Sequence, residues 1–164
     1  NAMVRDCIVG KDTTINASQV NESTIGSHTT VGPFTYVRPN CCIGDHCRVG
    51  DFVEVKNSVI GDGTKISHLT YVGDSDVGQR VNFGCGTVTT NYDGHKKHRC
   101  TIGDDVFLGC NTNLIAPVTV ADRAYTAAGS TVTDDVPEGA LAIARQRQTN
   151  IRGWADRLRK TWKK

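Results

Sequence analysis

Arg38 and Lys56 stand 18 residues apart, and each directly follows an aliphatic residue, Val37 and Val55. Tyr71 directly precedes another, Val72. If those aliphatic residues share one column of a stacked structure, the two cations lie one layer apart, within about 5 Å. Like charges that close repel unless an anion lies between them. With a phenol nearby, the set predicts a clamp for a phosphate monoester. His68 lies two residues after Ile66, and an imidazole can take a proton at neutral pH. Cys85, Cys110 and Ala128 hold the matching place after Phe83, Leu108 and Thr126. They predict a channel of small side chains climbing from His68, open to an extended ligand. Taken singly, these are two solvated bases, a surface tyrosine and a surface histidine. They become a site only if one framework stacks them.

The sequence supplies such a framework. Aliphatic-glycine pairs recur, as in Ile25-Gly26, Ile43-Gly44, Ile60-Gly61, Val77-Gly78 and Leu108-Gly109. Ile25, Val31, Val37, Ile43, Val49 and Val55 follow one another at intervals of six. Five-residue steps lead to Ile60 and to Val77, and the run resumes at Ile102 after an interruption. Four residues into many units sits a small or β-branched residue, such as Thr29, Thr35, Cys47, Thr64 or Ser130. A period of six suits short straight strands joined by tight corners, with glycine taking the corner conformation. Composition agrees: 18 Val, 10 Ile and 19 Thr against 5 Leu, with 17 Gly, favour turn-rich β structure over helices.

The pattern resembles the hexapeptide-repeat family. That resemblance implies an all-β fold, a left-handed parallel β-helix of 18-residue coils, over residues 4–136. Val31, Val49, Ile66, Phe83, Leu108 and Thr126 then form one column. Residues 89–99 form an extruded loop carrying Asn91-Tyr92-Asp93-Gly94 and the polar run from His95 to Arg99. The tail, 137–164, breaks the period. Ile151, Trp154, Leu158 and Trp162 predict a short amphipathic helix capped by Thr149 or Asn150, its tryptophans packed on the coil end or a neighbouring subunit. Asn1-Ala2 before Met3 reads as a cloning remnant.

Several function classes recede on composition. No apolar run is long enough for a membrane span, and the first residues carry no secretion signal. The seven cysteines include no CxxC pair, so we expect reduced thiols in a cytoplasmic protein, without zinc or any other metal. From Leu141 onward eight basic residues face one acid, whereas the body holds 11 basic and 16 acidic residues. An acidic body argues against nucleic acid as a partner, while the tail suits a localised polyanion.

Further motifs sharpen the resemblance. They include Gly32-Pro33-Phe34 with Val37-Arg38-Pro39, Phe52-Val53-Glu54-Val55-Lys56, and Ser67-His68-Leu69-Thr70-Tyr71-Val72-Gly73-Asp74. Val81-Asn82-Phe83-Gly84-Cys85, Asn91-Tyr92-Asp93-Gly94 with Lys97, Ala127-Ala128-Gly129 and Ala142-Ile143-Ala144-Arg145 follow. In this order they resemble the C-terminal acetyltransferase domain of the bacterial bifunctional glucosamine-1-phosphate N-acetyltransferase/N-acetylglucosamine-1-phosphate uridylyltransferases. The resemblance implies acetyl transfer from acetyl-CoA to the amine of glucosamine 1-phosphate, on the route to UDP-N-acetylglucosamine and cell wall. It implies His68 as general base, and Arg38, Lys56, Tyr71, Asn82, Asn91 and Lys97 as sugar-phosphate ligands. Cys85, Asn91, Tyr92, Cys110, Ala128 and Arg145 would line the acetyl-CoA site, in a homotrimer with intersubunit sites. Cys85 and Cys110 depart from the family's usual alanine and serine. Nothing here resembles the uridylyltransferase half, so an excised domain of a longer protein is expected, with a natural single-domain homologue as the alternative. The competing readings are a hexapeptide acetyltransferase for another amino sugar, a zinc carbonic anhydrase on the same fold, and a non-catalytic assembly module.

Overall fold

Strands of two to four residues alternate with tight corners, and in the computed structural model they wind into the expected left-handed parallel β-helix. The structure describes residues 1–162, so Lys163 and Lys164 of the basic tail lie outside the described residues. Every third strand joins the same sheet, save the last, Leu141–Ala142, giving three faces of eight, seven and eight strands. On the third face Val31, Val49, Ile66, Phe83, Leu108 and Thr126 pair in the register that the period predicts. On the first face Val20, Val37, Val55 and Val72 do the same. These columns form the core, and burying each such aliphatic side chain is worth roughly 1.5–3 kcal/mol.

Hydroxyls complete the interior. Thr64 Oγ1 donates to the carbonyl of Gly78 (3.0 Å) and accepts from the N–H of Val81 (3.1 Å). Thr29 and Thr35 reach the next coil likewise, at Gly44 and Gly50. Thr126 fits the aliphatic column because its hydroxyl meets that of Thr112 (2.9 Å) and the N–H of Gly109 (3.0 Å).

The recurrent glycines act differently from the expectation. Gly26, Gly61 and Gly84 do not adopt positive φ; a β-carbon there would run into the next coil, lying 2.5 Å from a backbone carbonyl carbon of Gly78 in the case of Gly61. The left-handed corner conformation falls instead on side-chain-bearing residues such as Asp12, His28, His46, Arg80, Asp105 and Arg123, with φ from 55° to 57°. Close stacking, rather than turn chirality, fixes those glycines.

The interruption is accommodated at one corner. Paired Val88 and Asn113 are 25 residues apart, against 18 for Asn113 and Thr131 on the same face. The extruded segment starts at Asn91, not Thr89, because Val88–Thr90 is a strand paired to Asn113–Ile115 and Thr89 is buried. It is a small ordered hairpin. Tyr92 bridges Lys97, and the His98 N–H donates to the Asn91 carbonyl (2.8 Å). Asp93 accepts from the backbone N–H groups of His95 and Lys96 and meets His98 Nε2 (2.7 Å).

Beyond Pro137 the period breaks but pairing continues, since Leu141–Ala142 joins the third face beside Tyr125–Thr126. Backbone ladders need no side-chain repeat, so the coil runs further than the sequence pattern. The tail helix spans Trp154–Trp162. Gly153 (φ 69°) precedes it and its carbonyl accepts from Arg157, so neither Thr149 nor Asn150 caps it. No helix residue is buried, and Trp154 and Trp162 stand clear of the coil end. Among the described residues no helix is long and apolar enough to cross a membrane.

Candidate functional site

The strand Glu54–Lys56 lies between Tyr36–Val37 and Tyr71–Gly73 on the first face. Val37, Val55 and Val72 point inward in one column, so Arg38 and Lys56 leave the sheet at the same corner, toward the second face. Two carboxylates meet them there. Arg38 Nη1 donates to Glu54 Oε1 at 3.0 Å, and Lys56 Nζ donates to Asp74 Oδ2 at 3.1 Å. Sequence reasoning named neither acid as a site residue. The signal was available: Asp74 directly follows Gly73, the residue that pairs with Lys56 from the next coil.

Asp74 is the hub of the corner. Its side chain is only 6% exposed and accepts from Lys56, from Asn57 Nδ2 (2.5 Å) and from Asn91 Nδ2. Burial alone would raise its pKa, but the hydrogen bonds from Asn57, Lys56 and Asn91 outweigh that and hold the carboxyl below the usual range. Asn91 Nδ2 also donates to the Tyr71 phenol oxygen (3.3 Å), while the tyrosine ring lies across Gly73. Lys97, from the hairpin, joins Arg38, Lys56, Asn57 and Asp74 around an open cleft of about 400 Å³. Contact with Lys56 makes the Lys97 ammonium easier to deprotonate. Three cations thus face two carboxylates, an excess that favours an incoming anion. The Arg38–Glu54 pair is about 40% exposed on both sides, so Arg38 can change partners at little cost. Two other depressions, about 580 Å³ at the first coil and about 210 Å³ at the last, are lined by no cationic side chain.

A second group follows the corner between the third and first faces. His68 is exposed there, in register with Asp51. The Cys85 carbonyl accepts from Asn111, and the Cys110 carbonyl from Gly129, each at 2.8 Å, so Cys85, Cys110 and Ala128 stack coil upon coil above His68. Arg145 lies alongside the top, its Cδ 3.8 Å from where a β-carbon on Gly129 would stand. Phe52 and Leu69, both exposed, flank His68.

One chain therefore gathers Arg38, Lys56, Tyr71, Asn91 and Lys97 at one edge of the first face. It sets His68, Cys85, Cys110, Ala128 and Arg145 along the other edge. Leu69 to Gly73 separates the two, up to roughly 17 Å of extended chain. Asn91 and Tyr92 stand with the first group rather than with the cysteine column, and Tyr92 ties its hydroxyl to Gly94 (2.8 Å). Asn82 stands apart on the third face, between Lys65 and Phe107. Among the described residues no three potential metal ligands converge.

With this geometry the comparisons are specific. The bacterial transferase hexapeptide (six repeats) profile matches residues 22–57 and 99–134. The chain is 59% identical over 149 residues to the bifunctional protein GlmU of Clostridium perfringens, covering 91% of this chain and 33% of that protein. This chain belongs to the hexapeptide-repeat transferase family. Its similarity to the bifunctional protein GlmU of Clostridium beijerinckii is 57% over 157 residues, covering 96% of this chain and 34% of the relative. The chain spans about a third of the length of these curated relatives. Among solved structures, a mutant GDP-perosamine N-acetyltransferase from Caulobacter crescentus, in complex with CoA and GDP-perosamine, superposes with a TM-score of 0.64. It is 25% identical and covers 71% of this chain and 53% of that one. The two hexapeptide blocks flank residues 58–98, which carry His68, Tyr71, Asp74 and most of the hairpin.

Proposed function

We propose that this chain transfers the acetyl group of acetyl-CoA to the amine of glucosamine 1-phosphate, giving N-acetylglucosamine 1-phosphate. The observation that carries the reading is the cationic cleft of Arg38, Lys56 and Lys97, organised by Asp74 and Asn91, on a chain 59% identical to bifunctional GlmU. A phosphate monoester satisfies that excess of charge. Tyr71 and Asn91, with Asn82, orient the sugar. His68 takes a proton from the substrate ammonium, and the free amine attacks the thioester carbonyl. Collapse of the tetrahedral adduct expels the CoA thiolate, which takes up a proton as the free thiol. No acyl-enzyme forms, and no metal is required.

The column of Cys85, Cys110 and Ala128 receives the pantetheine arm, with Arg145 near a CoA phosphate. The similarity to an N-acetyltransferase crystallised with CoA supports a CoA ligand on this coil. Because the two groups occupy opposite edges of a convex prism, a second chain completes each site. We read the assembly as a homotrimer in which Asn91 and Tyr92 of one protomer face the cysteine column of its neighbour. Its place is the cytoplasm, where acetyl-CoA is made, and the parent protein also carries N-acetylglucosamine-1-phosphate uridylyltransferase activity.

The test is CoA release from acetyl-CoA with glucosamine 1-phosphate, with free glucosamine, and with the His68→Ala variant. Turnover should require the phosphate and fall by about 10²–10⁴ in the variant. Equal turnover on free glucosamine would remove the phosphate clamp from the reading. Absence of turnover in the assembled oligomer would overturn the activity.

A further inference from the structure

Seven cysteines are more than the acetyl-transfer chemistry uses, and their placement is uneven. Cys41, Cys47 and Cys100 are buried, and burial pushes their thiols up, that of Cys100 to about 11. Cys42 faces outward on the second face between Thr24 and Val59. Cys7 is half-buried near the open first coil. Among the described residues, only Cys85 and Cys110 occupy the same column on consecutive coils, and both are exposed.

We propose that Cys85 and Cys110 form a proximal dithiol that closes to a disulfide by exchange with a small organic disulfide. The backbone ladder holds the pair in place from both sides. Gly84 N–H donates to the Leu108 carbonyl (2.8 Å), and Asn111 N–H donates to the Cys85 carbonyl (2.8 Å). Residues bracketed in this way sit one strand spacing apart, about 4.8 Å. That lies inside the Cα separation of roughly 4.4–6.8 Å at which disulfides form. Each cysteine follows a glycine, Gly84 or Gly109, so the preceding residue brings no β-carbon to the approach.

The exchange runs in two steps. One cysteine thiolate attacks a sulfur of the small disulfide, forming a mixed disulfide and releasing one small thiolate. The second cysteine thiolate attacks the protein-bound sulfur, forming the Cys85–Cys110 bond and releasing the second. The two cysteine protons end on the two small thiols, and excess thiol reverses the sequence. The closed bridge spans the chain segment that carries the hairpin. Its effect on acetyl transfer rests on the reading of this column as the acetyl-CoA channel, because the bridge removes both thiols from the channel wall.

The experiment treats the intact oligomer with oxidised glutathione and maps the peptides by mass spectrometry without reduction. The expected product is a linked Cys85–Cys110 peptide that dithiothreitol releases. The reduced protein should also take up one phenylarsine oxide per chain, a probe that needs two neighbouring thiols, and both Cys85→Ser and Cys110→Ser should abolish that uptake. Stable glutathione adducts on both residues, with no linked peptide and no arsenical uptake, overturn the dithiol. A linked peptide with unchanged CoA release supports the dithiol and overturns the channel assignment instead.

Discussion

Tyr71 lies across Gly73 so closely that its phenol oxygen occupies the place a β-carbon on that glycine would take. Asn91 Nδ2 stands 2.8 Å from the same point. The glycine is thus the floor on which two proposed sugar ligands rest. Gly73→Ala should lift Tyr71 and Asn91 out of position. The KM for glucosamine 1-phosphate should rise about tenfold, equivalent to about 1.4 kcal/mol, with little change in melting temperature. Steady-state kinetics beside a thermal melt checks this; an unchanged KM would dissociate the ring from substrate binding.

Asp74 joins stability to pH. Its carboxyl is held below the usual range, so the folded state binds the proton less readily than the unfolded chain. The stabilisation is therefore present above the unfolded value, near 4, and is lost as pH falls through the lower folded value. Asp74→Asn leaves Lys56 without its buried partner and should cost about 2–3 kcal/mol at neutral pH. Urea unfolding of both proteins at several pH values should show that gap constant down to about pH 5 and closing below about pH 4.

Thr64 tests whether hydroxyls tie the coils together. Thr64→Val keeps the shape but leaves the Val81 N–H and the Gly78 carbonyl without that partner. A loss of about 1–3 kcal/mol in denaturant unfolding is expected. An unchanged midpoint would assign the coil contact to packing alone.

The hairpin has its own lock. Asp93 is held well below the usual carboxylate range by the Lys96 N–H first, then by His98 and the His95 N–H. Asp93→Ala should free the hairpin while leaving the global melting temperature in place. Trypsin should then cut at Lys96 or Lys97 faster than in the parent protein, and equal cleavage rates would argue that the bridge between Tyr92 and Lys97 suffices.

Columns were the legible part of this sequence. The six-residue period placed Val31, Val49, Ile66 and Phe83 in one register because an inward aliphatic residue has one role wherever it recurs. It carried the Arg38/Lys56 corner and the stacking of Cys85 on Cys110 for the same reason. Corner chemistry was less legible. The period cannot say which residue of a corner turns left-handed, and in the corner after Ile25 it is His28 rather than Gly26. The acids escaped because Glu54 and Asp74 look like solvated surface charge until Arg38 and Lys56 are seen to lean on them. The ladder at Leu141–Ala142 left no side-chain repeat to read. The two proposed ligand groups stand at opposite edges of one face, a relation between corners that no single column expresses.

The hairpin leaves and re-enters at one corner, and all three sheets resume in register above it. Nothing in the core records its length. Selection can therefore rewrite those few residues, which bring Lys97 and Asn91 to the cleft, without renegotiating a single inward contact. The coil acts as a chassis with one open port, where ligand preference drifts independently of thermal robustness.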